Sequence, residues 1–399
     1  MTGKCPKEMA VIGGGFVGLQ TAVLAALSGV RQVIIVDIDP RVVDKINNTK
    51  DPAELHVKEK LIQENWSKVK DKMKATTDYK DASHVDVYMV SVQTPLLGDH
   101  VDYTPLLKVG ESLGRIVDKG NLVISETTIY PGGTVSLLGR RISETSGLSL
   151  GSGGILLAHS PERVNPGSEW TAEKIPRVVG GIDIASRDAA VQIIRDCFGL
   201  TVFPVDDIRV AEASKLLENT FRLVNISLVN ELQRRLDRKG INIRKVIEAA
   251  STKPFGYMPF WPGPGAGGSC LPKDARMLEE FTGSLLLRIA REINESQPLY
   301  YAARILREAR KRNARRVLFY GLGYKPDTPY LVESPILHLI EELSILDPTL
   351  EIAKQDPLIP QMSDFDNIKD AIEWADLVLV WGKPPEGLTP EKMIDLRVF

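Results

Sequence analysis

Short apolar runs alternate with helical or turn-rich segments through the first half of the chain. The runs fall at residues 9–12, 33–36, 85–92, 122–124, 155–158, 178–179 and 201–205, and the longest segment between them, 52–74, is helical or turn-rich in composition. Such alternation is typical of a parallel sheet wound on both faces by helices. We therefore predict an α/β fold whose N-terminal Rossmann domain ends near residue 205.

The pattern changes at residues 210–237, where no Gly or Pro interrupts a long predicted helix. Two rows run along it: a polar row of Lys215, Asn219 and Arg222, and an apolar row of Leu217, Phe221, Val224 and Leu228. A polar row is usually the solvated face of a helix. Because much of the remaining helix is also apolar, the alternative is that the helix is largely buried and its polar row contacts a ligand.

Short helices are predicted over 241–281 and another helix over 288–312, so the middle of the chain reads as helical. Beyond a basic stretch at 310–316, strands are predicted at 317–320, 350–353 and 377–381, with a helix at 335–346. This pattern indicates a smaller, Rossmann-like C-terminal domain. The predicted domains are 1–205, 206–312 and 313–399.

Composition narrows the possible partners. Lys and Arg number 50 against 52 acidic residues, which leaves no basic excess for nucleic acid or an anionic membrane. No signal peptide or membrane span is recognisable, so a cytoplasmic protein is expected. The three cysteines, Cys5, Cys197 and Cys270, are odd in number and far apart. We expect neither a disulfide framework nor a thiolate metal site.

A dinucleotide fingerprint follows the first apolar run. The G-x-G-x-x-G pattern and the residues inside it are Gly13, Gly15, Phe16, Val17 and Gly18. Its glycines allow a tight turn and close approach of a pyrophosphate to a helix N-terminus. Asp37 ends the second run, where an acid accepts hydrogen bonds from the ribose hydroxyls of NAD and repels the extra phosphate of NADP. We predict NAD as cofactor; the alternative is a structural turn with a solvated Asp37.

Polar residues also follow three later runs. They occur at 91–95, which includes Thr94, at 125–128, which includes Thr128, and at 159–167, which includes Glu162. Each could be an ordinary turn. Because the carboxyl ends of strands in such sheets bind ligands, three together favour a site.

A glycine-rich stretch, 263–268, leads to Cys270, Pro272 and Lys273. Proline favours the first turn of a helix, so Cys270 is predicted at a helix N-terminus, where unpaired N–H groups and a nearby lysine favour the thiolate. Cys270 is therefore a candidate nucleophile. The alternative is a small residue buried after a flexible loop.

With these elements in place, the chain resembles the UDP-glucose/GDP-mannose dehydrogenase family over almost its whole length. The matching motifs are 13–18 with Asp37, 127–132, 160–163, 215–219, 267–274 and 323–328. The resemblance implies oxidation of a sugar's primary alcohol to a carboxylate with two NAD and one water, by a homodimer that pairs through the long helices.

The resemblance also implies roles for individual residues. The implied catalytic residues are Cys270, Lys215, Asn219, Asp274, Thr128 and Glu162. The implied substrate-binding residues are Glu162, Arg163, Lys215, Asn219, Arg222, Gly267 and Lys325. Thr94 and Thr128 join the fingerprint and Asp37 as cofactor-binding residues.

The motifs point to two sugars. Residues 160–167, 219–225 and 262–265 resemble enzymes that oxidise UDP-N-acetylhexosamines, whereas Ser269-Cys270 resembles the UDP-glucose enzymes. Arg163 and Arg222 offer donors to an acetamido carbonyl, so UDP-N-acetyl-D-mannosamine is the predicted substrate and UDP-glucose the alternative.

Departures from the family affect the C-terminal domain. Val332 stands where relatives have an arginine that reaches the nucleotide sugar, residues 381–383 differ from the usual motif, and the sequence ends at Phe399. Two further alternatives stay open: a two-electron hydroxyacid dehydrogenase, which needs no Cys270, and a catalytically weakened nucleotide-sugar binding protein.

Overall fold

The apolar runs of the N-terminal half become strands of one eight-stranded sheet. In a computed structural model describing residues 5–57, 59–98, 100–164 and 170–399, the chain forms two units, Met1–Leu217 and Glu218–Phe399. The strands of the first unit are β1 (Glu8–Ile12), β2 (Gln32–Val36), β3 (Met73–Thr76), β4 (Val87–Val90), β5 (Leu96–Leu97), β6 (His100–Val101), β7 (Leu122–Ser125), β8 (Leu156–His159), β9 (Arg177–Gly181) and β10 (Val202–Val205). β5 and β6 form a separate antiparallel pair.

The large sheet has the strand order β10-β9-β8-β7-β4-β1-β2-β3. Its neighbouring strands are parallel except for β8 and β9, which are antiparallel. The predicted parallel sheet is confirmed except at this pair. A parallel connection needs a crossover element, and the described residues between β8 and β9 contain no helix.

Helices cover both faces of this sheet. They are α1 (Phe16–Leu27), α2 (Pro40–Asn48), α3 (Lys60–Val69), α4 (Thr104–Gly114), α5 (Arg140–Ser146) and α6 (Ile184–Val191). Alternate residues of β1 enter different cores: Met9 and Val11 join one apolar cluster, Ala10 and Ile12 the other. This division explains why the central strands β1, β4 and β7 are apolar at all positions but Glu8 and Ser125.

The sequence reading missed β3, which begins inside the segment predicted to be helical or turn-rich. α3 ends at Val69, and β3 follows from Met73 at the edge of the sheet. Its burial alternates, with Met73 and Ala75 buried and Lys74 exposed. A strand of four residues with only two buried side chains does not form an apolar run, so its sequence does not reveal it.

The second unit contains helices and a smaller sheet. α7 (Ile208–Asp237) begins in the first unit; the helices that follow are α8 (Ile243–Ala250), α9 (Leu271–Thr282), α10 (Leu285–Glu295), α11 (Gln297–Lys311), α12 (Pro335–Leu346) and α13 (Ile368–Trp374). The strands are β11 (Arg316–Tyr320), β12 (Glu351–Gln355), β13 (Leu377–Val380) and β14 (Met393–Asp395), all parallel in the order β12-β11-β13-β14. The α/β prediction with a Rossmann domain, a helical middle and a smaller C-terminal sheet is confirmed. The domain boundaries at residues 205 and 312 stay predictions.

The helix predicted over 288–312 is two helices. α10 ends at Glu295 and α11 begins at Gln297, with Ser296 between them and Pro298 in the first turn of α11. Proline has no N–H to continue a helix but fits the first turn of a new one, which explains the break. None of the helices in the described ranges is long and apolar enough to cross a membrane.

A disulfide joins Cys5 and Cys197, with their Cα atoms 4.8 Å apart. The prediction that the cysteines form no disulfide framework is therefore wrong for this pair. The two cysteines are 192 residues apart in sequence, but both pack with the same apolar cluster of the first unit. The distance between the two cysteines along the sequence did not predict their pairing, because the fold brings their segments together.

Candidate active site

The dinucleotide loop lies between β1 and α1, as its sequence predicts. Gly15 caps α1 and offers no side chain to the first N–H groups of the helix, which leaves them to a ligand. Gly13 has a φ of +100°, and a Cβ there would lie 2.6 Å from the carbonyl oxygen of Ser91. Phe16 and Val17 open the helix. The loop thus fits a pyrophosphate without any side chain in the way.

Asp37 follows β2 and turns its carboxylate to this loop. It accepts hydrogen bonds from the backbone N–H of Gly14 at 2.6 Å and of Asp39 at 2.9 Å. Carboxylate oxygens can accept more than one hydrogen bond, so ribose hydroxyls still have acceptors there. Tyr79, which the sequence reading did not select, lies near this carboxylate; burial, and secondarily Asp37, raises the pKa of its hydroxyl to about 12.

Thr94 and Thr128 come together where β4 and β7 end. The Thr94 hydroxyl donates to the carbonyl oxygen of Thr128 at 3.1 Å. The neighbouring Thr127 hydroxyl donates to the carbonyl oxygen of Val92 at 3.0 Å. The two predicted strand-end segments therefore form one edge, on the same sheet as the dinucleotide loop.

A buried ion pair that the sequence reading missed lies beneath this edge. Glu126 accepts from Arg177 at 3.1 Å, from Thr21 at 2.7 Å and from Ser91 at 2.6 Å. Burial raises the pKa of Glu126, whereas the Arg177 guanidinium opposes that rise. The pair links α1, β4, β7 and β9. No local pattern reveals it, since its members are far apart in sequence.

Glu162 and Arg163 follow β8. Glu162 is buried and accepts from the N–H of Val164 at 2.6 Å. Arg163 donates to the carbonyl oxygen of Pro176 at 2.9 Å. Residues 165–169, part of the motif that continues to 167, lie outside the described residues.

Two members of the predicted polar row of α7 are buried, which agrees with the alternative of a buried polar row, whereas two members of the apolar row are exposed. Lys215 and Asn219 are only 8% and 6% exposed, whereas Leu217 is 65% and Leu228 51% exposed. Among the described residues, Lys215 has no hydrogen-bond or ion-pair partner, which leaves its ammonium for a ligand. Arg222 is exposed, unlike the other two members of its row.

Cys270 is the N-terminal cap of α9, as the sequence predicts from Pro272. Its side chain is exposed, and its carbonyl oxygen accepts from the N–H of Asp274 at 2.8 Å. An exposed thiol at a helix N-terminus is not a packing residue, so the alternative of a small buried cysteine does not hold. This position suits a nucleophile.

Asp274 lies one turn into α9 and is 1% exposed. It accepts from the Asn219 amide at 2.5 Å and from the Lys273 ammonium at 2.6 Å. The structure thus brings Asn219, Lys273 and Asp274 together. The charge of Lys273 is paired with this carboxylate.

The glycine-rich loop before Cys270 packs against the loop that follows β11. A Cβ on Gly267 would lie 1.9 Å from the carbonyl oxygen of Glu333, and one on Gly268 2.8 Å from the ring of Tyr324. The N–H of Gly268 donates to the carbonyl oxygen of Val332 at 3.0 Å. The ammonium of Lys325 lies 5.6 Å from the ring centroid of Tyr324. Lys325 therefore lies beside the residue that packs against Gly268.

Asn294 holds the glycine-rich loop before Cys270, a contact that the sequence did not predict. Its side chain accepts from the N–H of Ala266 at 2.7 Å and donates to the carbonyl oxygen of Ala266 at 2.9 Å. Asn230 accepts from the N–H of Gly263 at 3.0 Å. An asparagine inside a helix carries no sequence signal for such a contact.

A dinucleotide loop with an adjacent aspartate, on a sheet wound by helices, defines the class as an NAD-dependent dehydrogenase. Residues 7–197 match the NAD binding domain of the UDP-glucose/GDP-mannose dehydrogenase family, and residues 209–296 match the central domain of that family. The chain belongs to this family and is an NAD-dependent nucleotide-sugar dehydrogenase. The family resemblance and the NAD prediction are both confirmed.

Similar proteins carry related names. UDP-N-acetyl-D-mannosamine dehydrogenase of Pyrococcus horikoshii is 34% identical over 391 residues, which cover 95% of this chain and 90% of that protein. UDP-N-acetyl-D-glucosamine 6-dehydrogenase of Pseudomonas aeruginosa is 31% identical, covering 84% and 80%. A solved structure of the Pyrococcus horikoshii UDP-D-ManNAc dehydrogenase superposes with a TM-score of 0.86 at 33% identity, covering 97% of this chain and 93% of that one.

Proposed function

We propose that the protein oxidises the 6-hydroxymethyl group of UDP-N-acetyl-D-mannosamine to a carboxylate through a covalent intermediate on Cys270. The alcohol, two NAD⁺ and one water give the carboxylate, two NADH and three protons. The exposed thiol at the start of α9 carries this proposal, together with the Asn219–Asp274–Lys273 group, whose Lys273 and Asp274 lie in the first turn of the same helix.

The fingerprint and Asp37 would hold NAD, which supplies hydride acceptance for both oxidations. At the aldehyde stage, the Cys270 thiolate forms a C–S bond to C6, and the carbonyl oxygen becomes negatively charged. Loss of the second hydride from C6 leaves a thioester. Water then adds, the C–S bond breaks, and the thiolate departs with its electron pair.

Lys215 and Asn219 would stabilise the negative oxygen of these intermediates. Lys215 has no partner among the described residues, and the Asn219 amide uses one N–H on Asp274, which leaves the other to donate. Asp274 and Thr128 would position or deprotonate water, and Glu162 would act as general base in hydrolysis. Because Asp274 already accepts from two side chains, orienting Asn219 is the role that its contacts support most directly.

The nucleotide sugar would be bound by the loop after β11, with Gly267 and Lys325 as contacts. Val332 is 57% exposed and replaces the arginine of relatives. Arg163 and Arg222 would supply donors to the acetamido group. The names of the relatives favour an acetamido sugar over glucose. If the protein binds UDP-sugars but forms no NADH, the alternative of a catalytically weakened nucleotide-sugar binding protein is favoured instead.

A substrate panel tests the sugar. We expect NADH formation to be most efficient with UDP-N-acetylmannosamine, at two NADH per sugar, and kcat/KM for UDP-glucose to be lower, since glucose lacks the acetamido carbonyl that Arg163 and Arg222 would bind. UDP-N-acetylglucosamine and GDP-mannose complete the panel. Equal efficiency with UDP-glucose would reassign the substrate to the alternative.

We further propose a homodimer that pairs through α7. Phe221, Leu228 and Leu232 are 47%, 51% and 40% exposed, a row of apolar side chains that a monomer leaves in water. Leu228→Arg is expected to give a monomer in sedimentation velocity, because a charge would be buried at the interface. Arg238→Glu, an exposed change just past the helix, should stay dimeric. A wild-type monomer would contradict the proposal.

A further inference from the structure

A buried glutamate holds the turn that carries Thr128. We call residues 127–133, between β7 and the π-helical turn Thr134–Gly139, the Thr128 turn. Glu212 accepts hydrogen bonds from the N–H of Gly132 and, at 2.8 Å, from the N–H of Thr134. At the other end of the turn, Glu126 makes its three contacts. Glu212 therefore holds the far end of the Thr128 turn, and buried Glu126, the residue directly before the turn begins, is anchored by its own contacts.

Glu212 is completely buried, and its partners lie about 80 residues away in sequence. Burial raises the pKa of its carboxyl, and the N–H bonds from Gly132 and Thr134 oppose that rise. A carboxylate at the start of a helical segment is stabilised by the unpaired N–H groups there. The Thr134 hydroxyl also contacts Nδ1 of His159 at 3.1 Å, so the end of the turn has little freedom.

Glu212 lies on α7, three positions before Lys215. Residues at this spacing lie on neighbouring positions of one helix face. The same carboxylate that holds the Thr128 turn is thus fixed to the helical turn that presents Lys215. All of these residues belong to the first unit.

We propose that Glu212 is a positioning residue that sets the place of Thr128 relative to Lys215. Its consequence for catalysis rests on the function proposed above. Glu212 touches no reacting atom; it acts through the turn and the helix that it joins. Within the turn, Gly132 has a φ of +90° and a Cβ on Gly133 would lie 2.2 Å from Ile129, so this backbone path requires glycine at both positions.

Glu212→Gln tests the proposal because glutamine has the same shape but can accept at only one of its two ends. One of the two N–H groups then loses its partner. We expect kcat to fall about tenfold or more, while the stoichiometry of NAD binding stays within about twofold of wild type, since the fingerprint and Asp37 are unchanged. Glu231→Gln, the same substitution at a half-buried position of α7 whose carboxylate accepts from Arg235, should leave both quantities unchanged.

Two results would overturn the proposal. One is a kcat within about twofold of wild type; the other is a fall in NAD stoichiometry that matches the fall in kcat, which would mean loss of folded protein. Amide hydrogen exchange at Gly132 and Thr134 tests the two hydrogen bonds to Glu212 directly and needs no turnover. We expect faster exchange in Glu212→Gln, and unchanged exchange also overturns the proposal. Wild-type protein that oxidises no UDP-sugar would refute the proposed function. Amide hydrogen exchange would in that case still report on the hydrogen bonds between Glu212 and the Thr128 turn.

Discussion

Cys270→Ser is expected to abolish carboxylate formation, with kcat lower by about a thousandfold or more. A serine hydroxyl at the start of α9 is a far weaker nucleophile than a thiolate and has no general base among its described contacts. The thioester therefore cannot form at a useful rate. NADH formation and the uronate product, followed together, measure the effect.

Ser269→Ala is the matched control, because Ser269 is also exposed and its hydroxyl lies 3.6 Å from the Cys270 sulfur. It should retain turnover. NAD binding by Cys270→Ser should equal that of wild type, since the dinucleotide loop is on the first unit. Undiminished turnover in Cys270→Ser would eliminate the covalent route and favour a two-electron dehydrogenase.

Asp37→Ala is expected to weaken NAD binding by about 1 to 3 kcal/mol, roughly fivefold to 150-fold. The change removes a ribose acceptor and the partner of the Gly14 N–H. It also removes a charge that repels the extra phosphate of NADP, so the relative use of NADP should improve. Dissociation constants for both cofactors provide the test.

Asp37→Asn separates these effects, because asparagine keeps one acceptor and loses the charge. We expect it to relax the NAD/NADP preference with a smaller loss of NAD affinity. Asp39→Asn is the control: Asp39 is the cap of α2 and pairs with exposed Arg41. An Asp37→Ala protein with unaltered cofactor preference would show that Asp37 does not contact the ribose.

The elements predicted most accurately have their causes within a few residues. α12 spans the predicted 335–346, and α9 follows Cys270 because Pro272 favours a first helical turn. The loop at Gly13–Gly18 was recognisable because only glycine permits a φ of +100° and such close backbone approach. The roles assigned to these residues in catalysis stay proposals.

The buried polar contacts were not predictable in this way. Glu126 meets Arg177 and Glu212 meets Gly132 and Thr134 across 51 to 80 residues of sequence. A sequence shows that such a glutamate is present but not what surrounds it. Its partner depends on which strands are neighbours, a property of the whole sheet.

By itself, the sequence determined the strand and helix pattern, the dinucleotide loop and the family, because periodicity, glycine geometry and motif spacing are local properties. Only the tertiary structure decided that β9 runs antiparallel to β8, that Cys5 pairs with Cys197, and that Lys215 and Asn219 of α7 are buried while Leu217 and Leu228 are exposed. Each of these depends on contacts between segments distant in the chain. Burial is set by what packs against a side chain, and the side chain alone does not specify that.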